Sequence, residues 1–266
     1  MSNSNMALRQ RFLAGAQLVG SFLKVAHTMP AEILATVGFD FVVIDEEHSA
    51  INRESTDHII LACRASGLGC LVRVQNDDPA AILSVLDCGA DGVLVPHITS
   101  AAKAKKIVDA ARYRTGSRGY SATTRAGNFG SKSIAEHLRD EDERALVIAM
   151  IEDPEAVDSI SQIVATTGLD GVFIGRGDLT VAYGECKAGS APVKDATQQI
   201  VQAAQAANVR ICAMSGSVQD AQALSDMGVS AFIVTSDQAL LRDAARSLLQ
   251  NFQDALPIQK GGAVGL

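Results

Sequence analysis

LVIAMIEDPEAVDSISQIVATTGLDGVFIGRGD, residues 146–178, carries the pattern that decides the fold. An apolar, β-branched run from Leu146 to Ile151 ends in two acids, and Asp153-Pro154 opens a stretch of helical spacing that reaches Thr166. Gly168 follows, then a second apolar run from Gly171 to Gly175. Proline is tolerated in a helix's first turn because its missing N–H has no partner there, and a glycine just past the last turn takes the left-handed cap. The stretch is therefore predicted to be a strand, a helix and a strand, the unit that builds parallel sheets.

The unit repeats outward in both directions. Strands are predicted at Gln17 to Val25, Phe41 to Asp45, Cys70 to Val74, Gly92 to Pro96, Leu146 to Ile151, Gly171 to Gly175, Arg210 to Met214 and Ala231 to Thr235. Helices are predicted at Ala31 to Ala35, Arg53 to Ala65, Pro79 to Cys88, Ala101 to Ala111, Pro154 to Thr166, Val193 to Ala207, Val218 to Met227 and Gln238 to Asn251. Gly38, Gly67, Gly89 and Gly228 stand past helix ends as Gly168 does. Unbroken alternation over 266 residues predicts one closed (β/α)8 TIM barrel of the α/β class rather than a sheet with a separate helical domain. The barrel is assigned to residues 1–256, with an inserted loop and helix at 113–144, and 257–266 reads as a flexible tail. The insertion contains RTGSRGYSATTRAGNFG, and a long glycine- and arginine-rich loop in a barrel is expected to be functional, here by shaping acceptor choice around residues 113–130 together with neighbouring subunits.

Composition narrows the function. At 47% hydrophobic residues the chain can bury a large core, and a formal net charge of -7 argues against a nucleic-acid partner, which would need a basic face. The N-terminus has no apolar leader region and no apolar run approaches a membrane span, so no membrane partner and a cytoplasmic location are expected. Cys63, Cys70, Cys88, Cys186 and Cys212 are scattered without a C-x-x-C, which disfavours a disulfide framework, a zinc cluster or a thiol nucleophile. A small-molecule site is expected instead.

In a parallel barrel the carboxyl ends of the strands converge, so polar residues just after each strand are the ones able to meet. These are Asp45-Glu46-Glu47-His48, Arg73, His97, Glu152-Asp153 and Asp178. Glu152 and Asp178 follow adjacent strands, and two carboxylates without histidine or thiolate suit a hard divalent cation; alternatively they cap helix N-termini. Arg73 either holds a substrate oxygen or makes an ion pair within the barrel. His48 is either a general base or an acid-paired structural histidine. Asp87 alone is an ordinary helix residue. Lys24, the one lysine on a predicted strand, keeps a Schiff-base mechanism open. Ser215-Gly216-Ser217 reads as a turn and helix cap.

The segments GFDFVVIDEEH (38–48), LVRV (71–74), VLDCGADGVLVPHI (85–98), RYRTGSRGY (112–120), AMIED (149–153) and GLDGVFIGRGDL (168–179) together resemble the HpcH/HpaI aldolase family. These are the metal-dependent class II pyruvate aldolases. The resemblance covers nearly the whole chain and implies a TIM barrel of the phosphoenolpyruvate/pyruvate type. It implies reversible cleavage of a 4-hydroxy-2-oxo acid to pyruvate and an aldehyde through an enolate stabilised by Mg²⁺, Mn²⁺ or Co²⁺. It implies His48 as general base, Arg73 as the transition-state arginine, Asp87 as the acid raising the histidine's basicity, and Asp45 in a supporting role. Glu152 and Asp178 fall on the metal ligands, and Gly177 and Asp178 on the backbone contacts to the substrate carboxylate. It also implies a homo-oligomer, a hexamer built as a trimer of dimers, with the last helix packed on a partner. Met150 stands where the aldolases usually have a substrate-binding glutamine, and Arg176 and Gly177 stand in place of Pro-Ala. VPHI and AMIED look more like the siderophore-pathway citrate synthase branch, which condenses oxaloacetate with an acetyl thioester. Arg118, Arg125 and Arg176 would suit an acidic substrate in either case. A barrel that only binds a small acid is the remaining alternative.

Overall fold

The computed structural model describes residues 7–187 and 189–256, so the predicted tail lies outside the described residues. Helix α1 (Leu8–Leu13) precedes strand β1 (Leu18–Leu23), after which helices and strands alternate. The order is α2 (Met29–Val37), β2 (Phe41–Asp45), α3 (Arg53–Ser66), β3 (Gly69–Arg73), α4 (Pro79–Asp87), β4 (Gly92–Val95) and α5 (Ala101–Ala111). Then follow α6 (Ile134–Arg144), β5 (Leu146–Ile151), α7 (Pro154–Asp158), α8 (Ile160–Val164), β6 (Gly171–Ile174) and α9 (Arg176–Ala182). The chain closes with α10 (Ala191–Ala206), β7 (Arg210–Met214), α11 (Val218–Asp226), β8 (Ala231–Ser236) and α12 (Asp237–Ala255). The strands form a closed barrel in sequence order, every pair parallel, with β8 returning to β1.

The helix ends follow from local sequence. Asp78 caps α4 through Ala80 N–H, and Ser133 and Glu136 form a reciprocal capping box on α6. All five glycines read as caps adopt positive φ, from 68 to 99°. The helix predicted from Pro154 to Thr166 is broken at Ser159 into α7 and α8.

Two apolar layers result from strand alternation. Outward-facing residues such as Val42, Ile44, Val72, Val93 and Ala149 pack under the helices. Inward-facing residues, among them Phe41, Val43, Leu71, Leu94, Ile148, Met150 and Phe173, fill the barrel, and Leu8 and Phe12 of α1 close its lower end. Phe12 packs so tightly on β6 that a Cβ at Gly171 would stand 2.7 Å from its ring. Moving up the same inward faces by two residues, Val43 gives way to Asp45, Leu71 to Arg73 and Met150 to Glu152. The barrel is thus apolar below and charged at the open end, here called the mouth.

The insertion leaves the end of α5 and returns at the start of β5, which places it at the closed end, opposite the mouth. Its arginines are used internally. Arg118 is fully buried, pairs with Asp87 (3.0 Å) and Glu141 (3.4 Å), and stacks on Tyr113; Arg125 pairs with Asp57 (2.7 Å). Within one chain, then, neither Arg118 nor Arg125 stands at the mouth.

Candidate active site

At the mouth, Asp45 is fully buried at the end of β2. Its Oδ1 accepts from Arg73 Nε (2.9 Å) and from the backbone N–H groups of Glu47 and His48, and its Oδ2 accepts from Arg73 Nη2 at 2.7 Å. Lys24 Nζ, on the segment after β1, stands 2.7 Å from the same oxygen. Burial opposes the ionised carboxylate, but the bonds from Arg73 and Lys24 together outweigh it and hold Asp45 at about 2. Asp45 therefore anchors the arginine: Arg73 makes the ion pair within the barrel, and its remaining Nη1 stands 3.4 Å from Glu47. Lys24 is engaged by Asp45 rather than free in an apolar pocket, the opposite of what a Schiff-base lysine requires.

Glu47 lies at the centre of this face. Its Oε2 is buried with no hydrogen-bond partner, 3.7 Å from His48 Nε2, while its Oε1 is 3.8 Å from His97 Nε2. His48 exposes 57% of its side chain at the mouth, open to a ligand. His97, after β4, has φ 55°, a conformation rare outside glycine. Its backbone N–H donates to Glu152 Oε1 (2.8 Å) and its Nδ1 contacts Asp153 (3.0 Å). Sequence reasoning placed Glu47, His97 and Asp153 among the residues able to meet here and left His97 as a candidate ligand or acceptor, but gave Glu47 and the His97–Asp153 pairing no specific role. Strand alternation, which puts Glu47 two residues beyond the inward Asp45, was the one signal for the former.

Glu152 is 2% exposed. Burial pushes its carboxyl up to about 7 against the His97 hydrogen bond, and the charges of Asp178 and Glu47 push the same way. Its other oxygen, Oε2, lies against β6: a Cβ at Gly175 would stand 2.9 Å from it and 2.4 Å from Glu152 Cβ. Glycine at 175 is what lets Glu152 lean toward the turn that carries Asp178. Asp178 sits in the first turn of α9, and Gly177 before it has open space where a side chain would be. Glu152 does not cap a helix, since its bonded partner is the His97 amide of the β4 loop. A hard divalent cation fits this pair, because it would relieve two crowded carboxylates with oxygen ligands. Among the described residues no group of three or more His, Cys, Asp or Glu forms a closed metal cage. A cation held here would keep positions free for water and substrate.

Three expected residues stand apart from this group. Met150 is buried in the apolar interior one pleat below Glu152, so it forms the floor and offers no polar contact. Asp87 ends α4 at the closed end of the barrel and is held by Arg118, so within one chain it does not reach His48. Arg176 is turned to Asp220 and the Met214 carbonyl. Ser217 caps α11 through Asp220 N–H, as its turn reading requires. Four of the five cysteines are buried and all are free.

Comparisons with known proteins agree with this architecture. A sequence profile described as HpcH/HpaI aldolase/citrate lyase matches residues 18–244. A 5-keto-4-deoxy-D-glucarate aldolase of Escherichia coli is 30% identical over 244 residues, 91% of this chain and 94% of the relative. An HpcH/HpaI aldolase/citrate lyase family protein of Burkholderia cenocepacia superposes with TM-score 0.88 at 27% identity, covering 92% of this chain and 98% of that one. Citrate synthase SbnG superposes with TM-score 0.85 at 31% identity, covering 94% and 98%.

Proposed function

This chain belongs to the HpcH/HpaI aldolase/citrate lyase family and is a carbon-carbon lyase; on that premise we propose that it cleaves a 4-hydroxy-2-oxo acid reversibly to pyruvate, or a related 2-oxo acid, and an aldehyde. The observation that carries the reading is Glu152: a buried carboxylate, raised to about 7, whose Oε2 lies against Gly175 at the start of the turn that carries Asp178. Glu152 and Asp178 would hold a divalent cation, Mg²⁺, Mn²⁺ or Co²⁺, which supplies positive charge to draw electrons from the keto group.

The chain's own residues do the rest. Gly177 and Asp178 offer backbone N–H groups to the substrate carboxylate from a turn with open space before it. Arg73, locked by two bonds to Asp45, stabilises negative charge at the keto oxygen without reorganising. His48, exposed at the mouth, takes the proton from the 4-hydroxyl. The bond between the third and fourth carbons breaks, its electron pair passes to the 2-keto group as an enolate, and the aldehyde leaves. Protonation at the third carbon completes pyruvate. Asp87 plays no part within one chain. The aldolase relatives set aside the acid-binding barrel, and their name makes 5-keto-4-deoxy-D-glucarate the first substrate to assay.

The exposed apolar face of α12 (Leu241 71%, Leu248 59%, Leu249 56%) supports a homo-oligomer in which this helix packs on a second copy. Among the described residues no helix is long and apolar enough to cross a membrane. A second reading, condensation of oxaloacetate with an acetyl thioester, is favoured by the likeness to citrate synthase SbnG and by the His97–Asp153 pair at the mouth.

The test is exchange of pyruvate methyl protons in deuterated water. Exchange that needs Mn²⁺ and stops with chelator is expected; exchange with none of the three cations refutes an enolising site. Oxaloacetate consumed with an acetyl thioester, with no aldehyde accepted, would favour the second reading.

A further inference from the structure

Arg176 opens α9 two residues before Asp178, yet the chemistry above does not use it. Its Nη1 donates to Asp220 Oδ1 at 2.8 Å, and its Nη2 donates to Asp220 Oδ2 at 2.5 Å and to the Met214 carbonyl at 2.7 Å. Asp220 Oδ2 also accepts from Ser215 Oγ at 2.7 Å. One side chain thus ties the first turn of α9 to the end of β7 and the first turn of α11.

Both partners need such a tie. Between Gly175 and Asp178, Arg176 is the one side chain that fastens the turn: Gly177 has nothing within 4 Å of a Cβ position, and Gly177 and Asp178 are exposed. On the other side, α11 buries a single residue, Leu224. A groove of about 520 Å³, lined by Lys194, Thr197, Gln198, Ala223 and Met227, runs beside it along α10. Little apolar packing therefore fixes α11, and among residues 175–178 Arg176 is the one whose side chain is bonded to another element, beside the backbone bonds Gly175 makes to Ile151 and Leu179.

We propose that the Arg176–Asp220–Ser215 network is a positioning device that holds the 175–178 turn, and so Asp178 and the Gly177 N–H, in register with Glu152. The proposal rests on the reading of Glu152 and Asp178 as a cation pair. A bidentate guanidinium bond fixes orientation as well as distance, which a lysine cannot do. Partners that orient metal ligands typically contribute about 10- to 100-fold in metal affinity.

The variants are Arg176→Ala, Arg176→Lys, Asp220→Asn and the double Arg176→Ala/Asp220→Asn. Mn²⁺ affinity is measured by calorimetry without substrate, KM and kcat at saturating Mn²⁺, and amide hydrogen exchange over residues 176–183. Arg176→Ala and Asp220→Asn should each weaken Mn²⁺ binding and raise KM about tenfold or more, with kcat nearly unchanged. The double variant should be no worse than either single, Arg176→Lys should lie between, and exchange over the turn should quicken. Single variants with parental Mn²⁺ affinity and KM, or single effects that simply multiply in the double variant, overturn the proposal. Should Arg176→Ala fail to fold, Arg176→Lys and Asp220→Asn decide by the same readouts. A parental protein that takes up no Mn²⁺ refutes the cation pair itself, and the two failures are told apart by that control.

Discussion

Replacing Glu152 by glutamine should stabilise the metal-free protein at alkaline pH while removing its response to added metal. The folded carboxyl keeps its proton up to about 7, against 4.5 as the ordinary value for the unfolded chain. Between those values the native state binds more protons than the unfolded one, so stability falls as pH rises. At pH 8 the ionised group costs about 3 kcal/mol, taking 1.36 kcal/mol for each pKa unit. The substituted side chain would carry no charge, and its amide oxygen can still accept from the His97 N–H. The melting temperature in excess chelator should therefore rise by roughly 6 to 12 °C at pH 8 for a domain of this size, and by almost nothing at pH 4.5. Added Mn²⁺ should raise the melting temperature of the parent at pH 8 and leave the variant unmoved. Equal shifts at both pH values, or a lower melting temperature at pH 8, would show that burial of Glu152 is not the source of the cost.

Asp45 has the opposite sign: held at about 2 against an ordinary 3.8, it contributes about 2 kcal/mol that is fully present above pH 4 and is lost as pH falls toward 2. Asp45→Asn, which leaves Arg73 and Lys24 without their charge partner, should destabilise by about 3 to 5 kcal/mol at pH 7 in urea melts; a change under 1 kcal/mol would disprove the anchor. His48→Ala should slow cleavage by about 10² to 10⁴ with Mn²⁺ affinity intact by calorimetry, and a variant as fast as the parent would remove His48 as the base. Gly175→Ala places a methyl 2.4 Å from Glu152 Cβ, so it should weaken Mn²⁺ binding at least severalfold; unchanged affinity would mean that Glu152 need not lean on β6.

The barrel was legible because apolar runs and helix punctuation repeat together. Phe41–Asp45, Leu146–Ile151 and Arg210–Met214 match their predicted strands at both ends. Helices α1 and α9 were not foreseen, since each is under two turns and α9 begins at Arg-Gly-Asp, where the glycine and aspartate disfavour a helix. Asp45, Arg73 and Glu152 could be picked out as charges ending apolar strands. His97 could not be assigned, because its role depends on a left-handed loop residue that no periodicity signals. Asp87 came from resemblance alone, and the direction of α4 carries it away from His48. The insertion advertised its arginines but not their partners, because Arg118 meets Asp87 and Glu141 across 31 and 23 residues of chain.

The helix that stoppers the base of the barrel with Leu8 and Phe12 leaves one door for everything that passes. Were the proposed cleavage to take place there, both fragments of the substrate would have to depart through the same opening by which it came in.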